Sequence, residues 1–166
     1  MILGESFLIA TLEPMNDPEL IVGPAGMVVV ENLKRFRTGE GGGAGVSYAE
    51  LSRWLADHGH DIPPLGLRRI EAGQRKVSVD DLVALADVLS VSPLALMLPD
   101  GEPRDVIPYR PNYDIGNGRK VLDPPLVDLW RWCLGQAPID FSKPSIFRAK
   151  STPEWLTITA HVDEAA

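Results

Sequence analysis

The sequence predicts a mainly α fold built on a small unit of five short helices, and three observations carry that expectation. Ser47-Tyr48-Ala49-Glu50 is a capping box placed directly ahead of an apolar run. Ser78 precedes Asp80 and Asp81, which suits a helix start, because acidic groups in a first turn favour the positive end of the helix dipole. Ser92-Pro93 is a third start of this kind, with proline at the first helical position, where its missing amide costs nothing.

Taken in order, Val28 to Arg37 forms the first helix, with Val29, Leu33 and Phe36 turned to the core. The second begins at the Ser47 box. Its Leu51, Trp54, Leu55 and His58 share one face at helical spacing, while Arg53 and Asp57 lie opposite. Beyond Gly59, His60-Asp61-Ile62-Pro63-Pro64 interrupts the helix, because proline lacks a donor and pushes its predecessor out of the helical region. A third helix runs from about Pro64 to Glu71, with Leu67 and Ile70 inward and Leu65, Gly66, Arg68 and Arg69 outward. Gly73 is its left-handed stop. The Ser78 helix buries Leu82, Leu85, Ala86 and Leu89, and a last short helix spans Leu94 to Leu98 before Pro99 ends it. Five short helices over roughly seventy residues make a small all-α domain.

Two short helices with the Ser47 to Gly73 spacing suit a helix-turn-helix, and residues 28–98 resemble the lambda-repressor-like family of the Cro and xenobiotic-response-element type. The marks are Leu33-Lys34-Arg35-Phe36-Arg37, the Ser47 to Leu55 helix, Arg69-Ile70-Glu71-Ala72-Gly73, and Asp81-Leu82-Val83-Ala84-Leu85-Ala86 followed by Leu89-Ser90-Val91-Ser92-Pro93. The resemblance covers somewhat under half of the chain. It departs from the family at the longer Gly39 to Gly45 loop and at Ala56 to Asp61, which lengthens the turn between the motif's two helices.

What the resemblance implies is a five-helix DNA-binding domain in which the helix around residues 64–71 enters the major groove. Pro64, Leu65 and Arg69 then match base-facing positions. An arginine there donates two parallel hydrogen bonds to a guanine edge, whereas Pro64 and Leu65 offer apolar contact, for example to a thymine methyl. Tyr48 matches a position that touches backbone phosphate, and Arg68, Gln74, Arg75 and Lys76 fall where further phosphate contacts belong. The match also pairs Arg37 with Glu71, which makes Glu71 structural. The implied function is that of a sequence-specific transcriptional regulator, a repressor, acting on double-stranded DNA as a homodimer with paired half-sites. The alternative is an antitoxin-like or other protein-interaction module that keeps the fold without strong DNA affinity.

Charge argues for dimerisation. The chain carries a net charge of −7, unusual for a nucleic-acid binder. Residues 28–76, however, hold eight Lys/Arg against six Asp/Glu, so a mildly positive reading head sits on an acidic remainder. Few phosphate contacts release few counterions, and two copies are needed for useful affinity.

The rest of the chain divides into a 1–26 N-terminal arm, a 27–99 helical domain, a 100–122 proline-rich connector and a 123–166 small C-terminal extension. In the arm, Phe7 to Leu12 is apolar, but Pro14, Pro18 and the Gly23-Pro24-Ala25-Gly26 turn cluster break it. A flexible arm, an edge strand and a partner-binding segment all fit, and Met27 offers a later translational start just before the first helix. Pro103, Pro108 and Pro111 keep the connector irregular to about residue 121. Asp123-Pro124-Pro125 opens a helix with Leu126, Leu129, Trp130, Cys133 and Leu134 on one face and Gly135 as its stop. With Trp132 this helix is rich in aromatics, fitting packing against the helical domain or a short sheet, a dimer interface, a ligand pocket or an unknown protein partner. Trp155 to Val162 alternates as a strand does, and Ile146-Phe147-Arg148-Ala149 is its candidate partner, so the extension is expected to hold one helix plus short strands.

No enzyme signature emerges. Ser142-Lys143, Ser145 and Ser151 supply candidates for the Ser/Lys pair of self-cleaving repressors, but the segment after Pro99 is short for such a domain and adjacent Ser-Lys is not a catalytic arrangement. His58, His60, the distant His161 and Cys133 do not form a metal-ligand set, and the glycine loop lacks the Lys-Ser/Thr ending of a phosphate-binding loop. No cofactor is expected. The single cysteine rules out an intrachain disulfide framework. It also argues against a secreted design, so a cytoplasmic location is expected, and with no apolar run near the roughly twenty residues that span a bilayer and no positive region of a signal peptide at the N-terminus the protein is expected to be soluble.

Overall fold

Prolines and serines decide where the helices begin. In the computed structural model the described residues are 21–40, 42, 45–109, 123–139, 143–153 and 156. Among them are seven helices and no strand: α1 Pro24–Thr38, α2 Tyr48–Asp57, α3 Pro64–Glu71, α4 Val79–Val88, α5 Pro93–Met97, α6 Leu126–Cys133 and α7 Pro144–Ser151. Proline occupies the first turn of α1, α3, α5 and α7, where its fixed φ is already helical. Ser47 and Ser78 each complete a capping box, with Glu50 and Asp81 respectively, and Ser92 accepts from the Ala95 amide. These bonds satisfy amides that the first turn of a helix leaves unpaired.

Two starts differ from expectation. α1 begins at Pro24, not Val28, so the boundary drawn at residue 26 falls inside a helix. The Gly23-Pro24-Ala25-Gly26 cluster is its N-cap and first turn, closed by the Met27 amide donating to Gly23 O at 2.9 Å. In the C-terminal part, Ile146 to Ala149 is helical, within α7, and is not a strand. Lys143 is extended and Pro144 follows at a position that needs no amide donor. Of the expected Trp155 to Val162 strand only Leu156 is described, and it is helical; the rest, like Phe7 to Leu12, lies outside the described residues.

The core has two clusters. The larger joins Leu33 of α1, Leu51 and Leu55 of α2, Ile62 of the following turn, Leu67 and Ile70 of α3, Leu85 and Ala86 of α4 and Leu96 of α5. Each is essentially without solvent exposure. The smaller lies against a different part of α1: Val28 and Leu98 meet Tyr109, Leu126 and Leu129, with Trp130 and Cys133 at its edge. Residues 100–109 contain no helix, as their prolines predict, yet they are tied to α6. Leu126 N donates to Asp105 O at 2.8 Å and Val127 N to Pro103 O at 3.0 Å. Trp130 Nε1 donates to Pro99 O at 3.2 Å.

Asn32 is a polar residue inside this packing. Its amide donates to Leu96 O at 3.1 Å and Leu98 O at 2.8 Å, binding α1 to the end of α5. Buried amides persist only when partnered. His58, expected on the inner stripe of α2, is instead exposed at the C-cap, with Nδ1 2.7 Å from Trp54 O. The helix has already ended at Asp57, and Gly59 takes a positive φ of 80° to turn the chain. No helix among the described residues is long and apolar enough to cross a membrane.

Candidate functional site

α3 is seated from below and open above. Leu67 and Ile70 are fully buried, while Pro64, Leu65, Arg68 and Arg69 are exposed, so one turn of helix separates the core from an outward face of two cations and two apolar groups. Ser52 Oγ donates to Ile62 O at 2.7 Å and His60 N to Leu55 O at 2.9 Å, which pins the α2–α3 turn to α2. Past Glu71 the chain winds down through Gly73 N to Ile70 O and Gln74 N to Arg69 O, both 2.9 Å. Gly73, at φ +68°, makes the left-handed exit expected of it. Gln74, Arg75 and Lys76 follow in the loop to α4.

Two carboxylates, Glu71 at the end of α3 and Asp81 at the start of α4, are turned inward and neutralised. Glu71 receives Arg37 through Nε at 2.6 Å and Nη2 at 2.9 Å, a forked pair across 34 residues of sequence. The Tyr48 hydroxyl donates to the same carboxylate at 2.7 Å. The Glu71 hydrogen bond raises the Arg37 guanidinium above its ordinary range against the opposing cost of burial. Burial first, and then the Glu71 hydrogen bond, raise the Tyr48 phenol. The Arg37 guanidinium lies 4.1 Å from the Tyr48 ring centroid and that of Arg68 lies 5.6 Å away, so the ring is a platform for two cations.

Asp81 is the second carboxylate and is buried. His60 Nε2 donates to its Oδ1 at 2.7 Å, Arg75 Nη2 to Oδ2 at 3.1 Å, and the Ser78 amide to Oδ2 at 3.1 Å. Burial pushes this carboxyl up, but the His60 hydrogen bond, the Ser78 amide and the Arg75 charge together hold it below the usual carboxylate range.

Of the sequence-predicted site residues, Pro64, Leu65, Arg68 and Arg69 share α3, while Gln74 and Lys76 are exposed just beyond it. Arg69 and Lys76 have no ion-pair partner among the described residues. Tyr48 joins this group only through its ring, 5.6 Å from the Arg68 guanidinium; it is half-buried with its hydroxyl directed at Glu71. Arg75 is drawn inward to Asp81 and is about one-third exposed. The Arg37–Glu71 pair implied by the resemblance is present. The His60–Asp81–Arg75 cluster was missed, because Asp81 reads in sequence as a helix-dipole residue and His60 as a loop histidine. The signal available was the Ser78-x-x-Asp81 box, which marks Asp81 as facing its own helix start. Among the described residues no three His, Cys, Asp or Glu gather as a metal site requires. Comparison of the chain with protein-family models, curated proteins and solved structures gave no match.

Proposed function

We propose that this chain is a sequence-specific DNA-binding transcriptional regulator of the lambda-repressor-like helix-turn-helix type, which represses by occupying a promoter as a homodimer. The observation that carries this reading is the division of α3: Leu67 and Ile70 are fully buried while Pro64, Leu65, Arg68 and Arg69 face solvent. The order α1 to α5, with α2 and α3 joined by a pinned turn, supports it. So does the pairing of Glu71 with Arg37 and of Asp81 with His60 and Arg75, which offsets two negative charges on and beside a helix that must approach phosphate.

In this reading α3 lies in the major groove. Arg69 donates two parallel hydrogen bonds to a guanine edge, and Leu65 and Pro64 meet a thymine methyl. Arg68, Lys76 and Gln74 contact phosphates and set the register. Tyr48, its hydroxyl engaged by Glu71, holds Arg68 over its ring. The acidic remainder keeps non-specific affinity low, so two copies on paired half-sites supply the binding strength.

Selection from a random duplex pool tests this. The wild type is expected to enrich a palindromic motif, and Arg69→Ala to relax one guanine position, a loss of about 1–3 kcal/mol of discrimination. No enrichment by the wild type at low salt overturns the DNA reading and leaves a protein-interaction module in its place.

A further inference from the structure

Three segments meet at one buried carboxylate. His60 comes from the α2–α3 turn, Arg75 from the α3–α4 loop, and Asp81 from the first turn of α4. Asp81 is 8% exposed at its side chain, against 30% for His60 and 35% for Arg75, so the carboxylate is the protected centre and its donors reach in from the surface. Its oxygens are shared out: Oδ1 takes His60 at 2.7 Å, with Arg75 at 3.4 Å, and Oδ2 takes Arg75 and the Ser78 amide, both at 3.1 Å.

The same arginine also touches α3. A methyl group at Gly66 would come 2.9 Å from Arg75 Nη1 and 3.1 Å from Ile62 Cγ2, so the missing side chain is the space in which the guanidinium lies. Arg75 is therefore packed between the back of α3 and the start of α4. His60 lies in the turn between Asp57, the last residue of α2, and Pro64, the first of α3. Ser52 and the His60 amide hold this turn to α2, and the His60 side chain adds a second anchor, to α4.

We propose that Arg75 and His60 are positioning residues: gripping Asp81 from two sides, with Arg75 lodged against Gly66, they set the pitch at which α3 presents Leu65 and Arg69, and Arg75 is not a phosphate ligand. The inference rests on the DNA reading above and sharpens it. Positioning and phosphate contact leave different signatures, since a phosphate contact contributes about 0.9 to the slope of log affinity against log salt regardless of sequence. A pitch error misplaces base contacts and leaves that slope alone.

The experiment titrates a duplex selected by the wild type and a scrambled duplex, across salt concentrations, with full-length wild type, Arg75→Ala, Asp81→Asn, His60→Ala and His60→Gln. The expected result for Arg75→Ala and Asp81→Asn is a loss on the order of tenfold for the selected duplex, the size of one misplaced base contact. The scrambled duplex and the salt slope stay unchanged. His60→Ala follows them in direction, while His60→Gln, which keeps a donor, restores affinity. Equal weakening of both duplexes by Arg75→Ala with a slope smaller by about 0.9 overturns the proposal. So does a gain on both duplexes for Asp81→Asn, which is what freeing a phosphate-binding arginine would produce. If Arg75→Ala does not fold, the His60 pair decides alone. If the wild type binds no duplex, the DNA reading fails separately, and amide exchange over residues 68–74 reads the clamp: lost protection in His60→Ala, regained in His60→Gln, supports it, and unchanged protection overturns it.

Discussion

Asp81 shows how one side chain serves two levels of structure. Through the Ser78 amide it closes the capping box of α4, and through His60 and Arg75 it ties down two connecting segments. Its carboxyl is held below the ordinary range, although burial acts the other way, so the charged form is favoured more in the folded chain than in the unfolded one. The sign follows from linkage. Stability contributed by Asp81 is complete above the unfolded value of about 3.9 and is lost as pH falls through the lower folded value. The wild type is accordingly expected to exceed Asp81→Asn in urea midpoint at pH 6, with the gap closing as pH falls below about 4. A gap that stays constant down to pH 2 would show that the charge contributes nothing to stability.

At the scale of elements, the chain stops its helices as carefully as it starts them. Gly39, Gly73 and Gly135 each take a positive φ just beyond a helix, at 86°, 68° and 72°. Gly73 matters most, because the loop carrying Gln74, Arg75 and Lys76 leaves α3 through it, and because its carbonyl accepts the Ile21 amide at 3.1 Å. A Cβ in this conformation costs roughly 1–2 kcal/mol, offset in part by about 0.4–1 kcal/mol from the stiffer unfolded chain. Gly73→Ala is therefore expected to destabilise by about 1 kcal/mol in denaturant titration, and Gly73→Asn, whose side chain tolerates the left-handed region, by less. Equal loss from the two substitutions would point to a packing clash in place of backbone conformation.

At the scale of the whole molecule, α1 connects the two clusters. Leu33 belongs to the larger, Val28 to the smaller, and Asn32 between them bonds the carbonyls of Leu96 and Leu98. Arg35 of the same helix pairs with Asp100, just past the end of α5. The smaller cluster thus joins α6 to the start of α1 by way of Leu98 and Tyr109. Leu129, 2% exposed, is the test of how much this matters. Leu129→Ala should cost roughly 2–5 kcal/mol, seen as a lower thermal midpoint, while on the DNA-binding proposal affinity for the selected duplex stays as it is, because α3 has its own support in Leu67 and Ile70. A loss of DNA affinity equal to that of Leu67→Ala would mean that the two clusters act as one.

What the sequence by itself determined is local. The beginnings of α2, α3, α4 and α5, the exits at Gly73 and Gly135, and the inward pairing of Leu67 with Ile70 depend on capping, proline geometry and a 3.6-residue period, all of which act within a few positions. Arg37–Glu71 became legible only through resemblance, because nothing in spacing links residues 34 apart. Tertiary structure decided the rest. Ile146 to Ala149 is the local exception: four residues carry no period long enough to separate strand from helix, but Pro144 after the extended Lys143 is a helix start, and α7 follows it without burying a residue. Asn32, His60 and Arg75 look like surface residues in one dimension. They acquire their roles because folding brings buried carbonyls and a buried carboxylate to within about 3 Å of their donors, and a polar group removed from water is stable only beside a partner.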